Sequence, residues 1–325
     1  MIEPIDFDSR QFVIHPLVEG VYAAIATNGG HAICNAGLVD LGGQVLAFDS
    51  FISPQAATDL LRFSMQRFGR PPSLVINSHY HNDHIWGNQV FTPAAPVISS
   101  DRTRQLIATS GKEELEWYSA HSSERLESLR VQYKNATDEK HRNETLLWIG
   151  EYEAVLEALP HLSLCSPNIT FENRLEIHGT RRSASLTSFE EAHTGSDTIL
   201  YLPQDGIVFL ADLLFVGCHP YLGDGDPFKL IQALHEVSLL DAASFVPGHG
   251  PVGSIADVKL LIEYIEECLQ TARVLLNAGD VSETRINELE VPEKYRDWQV
   301  SMFYPVNVKF LCQCLGTAES EHPAP

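Results

Sequence analysis

The sequence predicts an α+β or layered α/β/α fold, with packed sheets covered by helices. Three observations predict it. Short apolar or alternating runs separated by Gly-rich turns open the chain and return after residue 170. Patterns of helical period follow these runs, which places helices outside sheets. Between the two β-rich parts lies a charged, Gly-poor stretch, 101–160, that reads as a helical insertion. We read 1–325 as one domain carrying that insertion and ending in a frayed tail, 317–325.

The elements follow in order. Gly20 to Ala26, His31 to Val39 and Gln44 to Phe48 read as strands, turned by Asn28-Gly29-Gly30 and Gly42-Gly43. Pro54 to Phe68 reads as a helix, stopped by Gly69 and Pro71-Pro72. Leu74-Val75-Ile76 is a short apolar strand. Lys112 to Glu157 carries 11 acidic and 6 basic side chains, the texture of two or three solvent-facing helices. Strands are expected at Thr170 to Ile177 and Ser183 to Phe189. Thr198 to Leu202 and Ile207 to Leu210 form a hairpin turned by Pro203-Gln204-Asp205-Gly206. Helix Phe228 to Leu240, strand Ser244 to Val246 and helix Ser254 to Asn277 complete the pattern.

Composition narrows the function. Lys and Arg number 22 against 43 Asp and Glu, a net charge of −21. Such a surface repels phosphate backbones and anionic lipid, so neither nucleic acid nor a membrane is expected as partner. The longest apolar stretch, Thr198 to Gly217, is broken by Pro203, Gln204, Asp205 and Asp212 and does not read as a membrane span. Met1 to Asp6 has no basic and apolar leader pattern. Six dispersed cysteines fit reduced thiols, hence a cytoplasmic expectation.

The chemistry concentrates in His79-x-His81-x-Asp83-His84, three imidazoles and a carboxylate at the end of an apolar strand. Imidazole with carboxylate suits zinc, iron or manganese better than calcium or magnesium. Crowding these groups at a buried strand end is costly unless something neutralises them. Completing ligands are sought at other strand ends. His193 lies between two strands, Asp212 follows Ile207-Val208-Phe209-Leu210-Ala211, and His249 lies in Pro247-Gly248-His249-Gly250.

The order H-x-H-x-D-H, His, Asp, Pro-Gly-His-Gly resembles the metallo-β-lactamase-fold hydrolases, from about Gly20 to Asn277. The resemblance implies an αββα sandwich: two mixed sheets face to face, helices outside, metals at one edge. It implies one metal on His79, His81 and His193, a second on Asp83, His84 and His249, and Asp212 bridging both. The all-His/Asp set is similar to glyoxalase II and lactonase-type members. Cys218 lies near where some β-lactamases carry a Cys ligand; with His84 and Asp212 present it is expected to be a non-ligand. Two zinc ions, with iron or manganese as alternatives, would share a hydroxide that attacks the substrate carbonyl. Asp83 is placed to orient that hydroxide and take up a proton, the catalytic role.

The expected function is a dinuclear zinc hydrolase of a small ester, lactone, thioester or β-lactam-type amide. One alternative is an iron-dependent oxidoreductase on the same scaffold, resembling persulfide dioxygenases, which the full second-metal set disfavours. Another is a non-catalytic, metal-stabilised binding module. His219 and Tyr221, with Asp224, follow the Asp212 strand as candidate substrate residues. Trp117, Tyr118, Trp148 and Tyr152 read first as packing within the helical block. Inserted between His84 and His193, that block is placed to form a lid or a homodimer surface.

Overall fold

The computed structural model describes residues 5–321, with side chains described as far as residue 316. Strands β1 (Phe12–Val18), β2 (Val21–Ala26), β3 (Ala36–Asp40) and β4 (Val45–Phe48) form an antiparallel meander. Helix α1 (Pro54–Phe68) crosses back to β5 (Leu74–Ile76), parallel to β4. Single-turn helices α2 (Asn82–Ile85) and α3 (Asn88–Phe91) lead to β6 (Val97–Ser100). Three helices, α4 (Asp101–Ala108), α5 (Ser110–Asn135) and α6 (Glu139–Ala158), then lead to β7 (Ile169–Phe171). The insertion is therefore an enlarged crossover between two parallel strands, β6 and β7. The seven strands lie in sequence order in one mixed sheet.

The second sheet begins with β8 (Arg174–His178), β9 (Ser183–Phe189), β10 (Asp197–Leu202) and β11 (Ile207–Phe215), all antiparallel. Helix α7 (Pro227–Val237) crosses to β12 (Ser244–His249), parallel to β11, and the strand order is β12-β11-β10-β9-β8. Helices α8 (Ile255–Ala278), α9 (Glu283–Asn287) and α10 (Phe303–Glu321) close the chain.

The layers follow from which faces are apolar. Leu46, Phe48, Ile76 and Ile98 of the first sheet meet Leu186, Leu200, Phe209 and Val246 of the second in one core. The outer face of the first sheet packs on Ala56, Leu60 and Phe63 of α1. The outer face of the second packs on Leu230 and Leu234 of α7, on α8, and on Val308 and Leu311 of α10. The αββα sandwich is thus realised. Strand β11 is buried at all nine positions because it is internal to its sheet and covered on both faces.

Local chemistry sets the boundaries. Ser53 caps α1 by accepting from the Ala56 N–H, Pro54 opens the first turn, and Gly69 ends the helix at φ 67°. The sheets approach so closely at Gly37 that a Cβ there would sit 2.6 Å from the Phe209 ring.

Some expectations need correction. Thr170 to Ile177 is not one strand: β7 closes the first sheet and β8 opens the second, with the chain passing between sheets at Glu172 and Asn173. An apolar run cannot by itself reveal that its halves pair with different partners. His31 to Asn35 is loop, with Ile33 at φ 68°. Strand β1 adds to the expected strands; it contains Pro16 and is an outer strand, where a missing N–H is tolerated. Helix α10 continues through Glu321, past the expected fray point, and 322–325 lie outside the described residues.

Phe209 lies at the centre of the inter-sheet core, with its ring 6.0 Å from that of Phe48. Phe209→Ala should cost about 3–5 kcal/mol in urea unfolding. A cost near zero would mean that the two sheets do not share a packed core.

Candidate metal centre

Five elements deliver side chains to one edge of the sandwich. His79 and His81 follow β5, and Asp83 and His84 ride on α2. His193 precedes β10, Asp212 lies within β11, and His249 ends β12. In one group His79 Nε2 lies 3.0 Å from His81 Nδ1, His193 Nε2 lies 3.3 Å from His81 Nδ1, and Asp212 Oδ2 lies 3.3 Å from His193 Nε2. In the other, His84 Nε2 is 3.1 Å from Asp212 Oδ1, and His249 Nε2 is 3.4 Å from Asp212 Oδ2. Asp83 Oδ2 approaches the second group, 3.4 Å from His249 Nε2 and 3.6 Å from His84 Nε2. Asp212 belongs to both groups. All seven residues singled out from the sequence come together.

The surroundings aim these donors. His84 Nδ1–H donates to Asp49 Oδ2 at 2.8 Å, which turns Nε2 to the cluster. Asp49 also accepts from the Ser78 N–H and hydroxyl, pinning the turn that carries His79. His81 Nε2–H donates to Asp224 Oδ2 at 2.9 Å, so His81 offers Nδ1 instead. Asp197 accepts from the N–H groups of His193 and Thr194 and fixes that loop. Ala211, at φ 44°, and an irregularity in the β11–β12 register turn Asp212 out of the strand's alternation. Gly248 makes room for it: a Cβ there would lie 1.8 Å from Asp212 Oδ1.

The electrostatics suit a cation. Burial raises Asp212, but His249 and His84 outweigh it and hold the carboxyl well below its usual range. Burial lowers His84, yet Cys34 and the carboxylates of Asp83, Asp212 and Asp49 carry it well above an ordinary imidazole. Burial, with His84 and His81 alongside, keeps His79 well below the usual value and neutral. Buried His84 Nε2 and Asp212 Oδ1 have no hydrogen-bond partner. Buried polar atoms facing one another unpaired are costly unless a ligand satisfies them, and an imidazole and carboxylate set is what zinc, iron or manganese takes, the cation displacing the protons that the carboxylates favour on His84, His193 and His249.

Beside the cluster lies a cavity of about 470 Å³. The helical insertion forms part of its wall through Glu114, Trp117, Tyr118, Trp148 and Glu151. Tyr221, Asp224 and His219 also line it. His219 is 1% exposed and donates or accepts at Tyr264 Oη, so it is largely part of an aromatic cluster with Trp298 and Tyr304. Cys218 lines the cavity and joins neither ligand group; burial, with Asp212 adding, pushes its thiol up to about 12. Cys34 does lie with Asp83 and His84, but its thiol donates to the Asp83 carbonyl.

Sequence reasoning missed Asp49, Asp197's anchoring role, Glu114 and Glu151. Asp49 had a signal, a carboxylate straight after an apolar strand. Glu114 and Glu151 had none, because they sit among many solvent-facing acids of the same helices.

A family model described as the metallo-beta-lactamase superfamily matches residues 29–249, more than half the chain. The chain belongs to the metallo-β-lactamase superfamily. Its fold is similar to that of a metallo-beta-lactamase from Pontibacter korlensis, with a TM-score of 0.58 at 16% identity over 79% of this chain and 99% of that one. It is also similar to a metallo beta lactamase from Erythrobacter litoralis, solved with beta mercaptoethanol in the active site, at a TM-score of 0.57 and 15% identity over 82% and 100%. At such identity the likeness shows the fold alone. No curated protein matches the chain. Members of this superfamily bind divalent metals through His and Asp clusters, and this one presents such a cluster.

Two predictions follow from the geometry. His84→Ala should remove one metal per chain, while Cys218→Ser leaves metal content unchanged; elemental analysis giving the reverse ranking would assign the second group to the thiol. The second concerns acid stability. Burial, with Lys140 adding, lowers His219 to about 4, whereas an unfolded imidazole titrates near 6.5. Between those values the unfolded chain holds the extra proton, so stability rises with pH across the window and is lost as pH falls. The contribution is about 3 kcal/mol at full effect. His219→Gln should therefore lose less stability than the parent between pH 6.5 and pH 4.5 in urea titrations. Parallel losses would show that His219 takes up no part of the acid load.

Proposed function

We propose that the protein is a dinuclear zinc hydrolase that acts on the ester, lactone, thioester or amide carbonyl of a small molecule. The observation that carries this reading is Asp212, which belongs to both groups of imidazoles: Oδ1 faces His84, and Oδ2 lies between His193 of one group and His249 of the other. His79, His81 and His193 would hold one ion; His84, His249 and Asp83 would hold the other. Bound divalent zinc supplies Lewis acidity and activates water near neutral pH.

The chain's own residues do the rest. Asp83, 8% exposed, stands at the cavity end of the second group, where its carboxylate can hold a nucleophilic water and accept its proton. Asp49 and Asp224 lock the rings of His84 and His81, so the donors need not reorganise during the reaction. The insertion and the segment Gln299–Phe303 wall the cavity, restricting bulk water around the reacting carbonyl. A cavity of this size takes a small molecule. The paired groups support two metals over the single-iron oxidoreductase reading. The dispersed cysteines support a cytoplasmic enzyme, the charge of −21 supports one without nucleic-acid or anionic-membrane partner, and no described helix is long and apolar enough to cross a membrane.

The test is a substrate panel with zinc-loaded protein: lactones, thioesters, esters, β-lactams and phosphodiesters. At least one carbonyl class should turn over, chelation should abolish it, and Asp83→Asn should lower kcat by about 10²–10⁴-fold. Turnover of phosphodiesters alone, or oxygen consumption with iron-loaded protein and no hydrolysis, would contradict the proposal.

A further inference from the structure

Two carboxylates in the cavity are left over once the metal groups are assigned. Glu114 of α5 and Glu151 of α6 both line it, and neither has a lysine or arginine partner among the described residues. Glu114 accepts from the Asn82 N–H at 3.1 Å, and Glu151 accepts from Tyr118 Oη at 2.5 Å. No lysine or arginine lies among the described residues lining the cavity. Aromatic rings of Trp117, Tyr118, Trp148 and Tyr221 line the same space. Asn82 is 5% exposed and lines the cavity, and its buried Nδ2 has no hydrogen-bond partner.

Each feature points to a ligand group. Burial holds the Glu114 carboxyl well above its usual range and pushes that of Glu151 up to about 7, and a positive partner is what would keep both ionised. Carboxylates among aromatic rings are the chemistry that recognises an ammonium group. An anionic substrate would meet two acids and no lysine or arginine there, so nothing in this part of the cavity favours it.

We infer that the cavity selects substrates carrying an ammonium group beside the scissile carbonyl, with the ammonium held by Glu114, Glu151 and the Trp117 and Trp148 rings. This rests on the hydrolase reading for the carbonyl but not for the ammonium site. The rival account is that both acids only offset the charge of the metals. In that case shape, not charge, governs binding.

A pair of probes of equal shape separates the two: choline, and its uncharged carbon isostere 3,3-dimethylbutan-1-ol. Binding to zinc-loaded protein is read by calorimetry and tryptophan fluorescence, and hydrolysis is read on the two acetate esters. Choline should bind at least ~10-fold tighter. The gap should close in Glu114→Gln/Glu151→Gln, with zinc content checked alongside. Equal binding of the two probes by the parent protein overturns the inference, whether or not either ester is cleaved. A choline preference with no ester cleavage upholds the ammonium site and counts against the hydrolase. If the double variant fails to fold, the parent's preference between the two probes decides.

Discussion

The carboxylate of Asp212 lies between two sets of imidazoles, and much of the chain is arranged to keep it there. It sits in the most enclosed strand of the second sheet, covered on both faces. An ionised carboxyl in such a place is expensive, and only the surrounding His rings make it tenable. A strained Ala211 turns it outward, and the bare backbone of Gly248 leaves it room. The parallel pairing of β11 with β12 brings Gly248 and His249 to the same edge. Fold and site are thus one construction: the sandwich core fixes the strand ends, and the strand ends fix the donors.

The insertion gives that common frame its particular cavity. It grows from the crossover between β6 and β7, so its helices emerge at the carboxyl ends of parallel strands, where open α/β sheets place ligands. Trp86 beneath it packs edge-on to Tyr118, anchoring α5 to the framework. On the far side Glu144 accepts from the N–H and hydroxyl of Ser301, tying α6 to the C-terminal segment that also faces the cavity. The wall over the metal groups is therefore braced at two points by side chains outside the ligand set.

The donors themselves were legible in the sequence because a metal centre needs a few residue types at strand ends, and little else mimics that pattern. What aims them was less visible. Asp49 acts across space on His84, and nothing in the local pattern says which way a carboxylate after a strand will point. Glu114 and Glu151 looked like any other acid on a solvated helix; only packing separates them from their neighbours. Helical period and charge density located the insertion but not its inner face, because α5 buries little: Gly111, Ser122 and Leu126. Strand pairing was the other limit, as the division of Thr170 to Ile177 between two sheets shows. Pairing is a long-range choice that a short apolar run does not encode.

The account stands or falls on whether Asp212 bridges two ions. Crystals of zinc-saturated protein, measured on either side of the zinc edge, address this directly. Two anomalous peaks about 3.5–4 Å apart, one among His79, His81 and His193 and the other beside His84 and His249, with Asp212 touching both, are the predicted result. One peak at full saturation, or a second peak bound to Cys218 with Asp212 turned away, would contradict it.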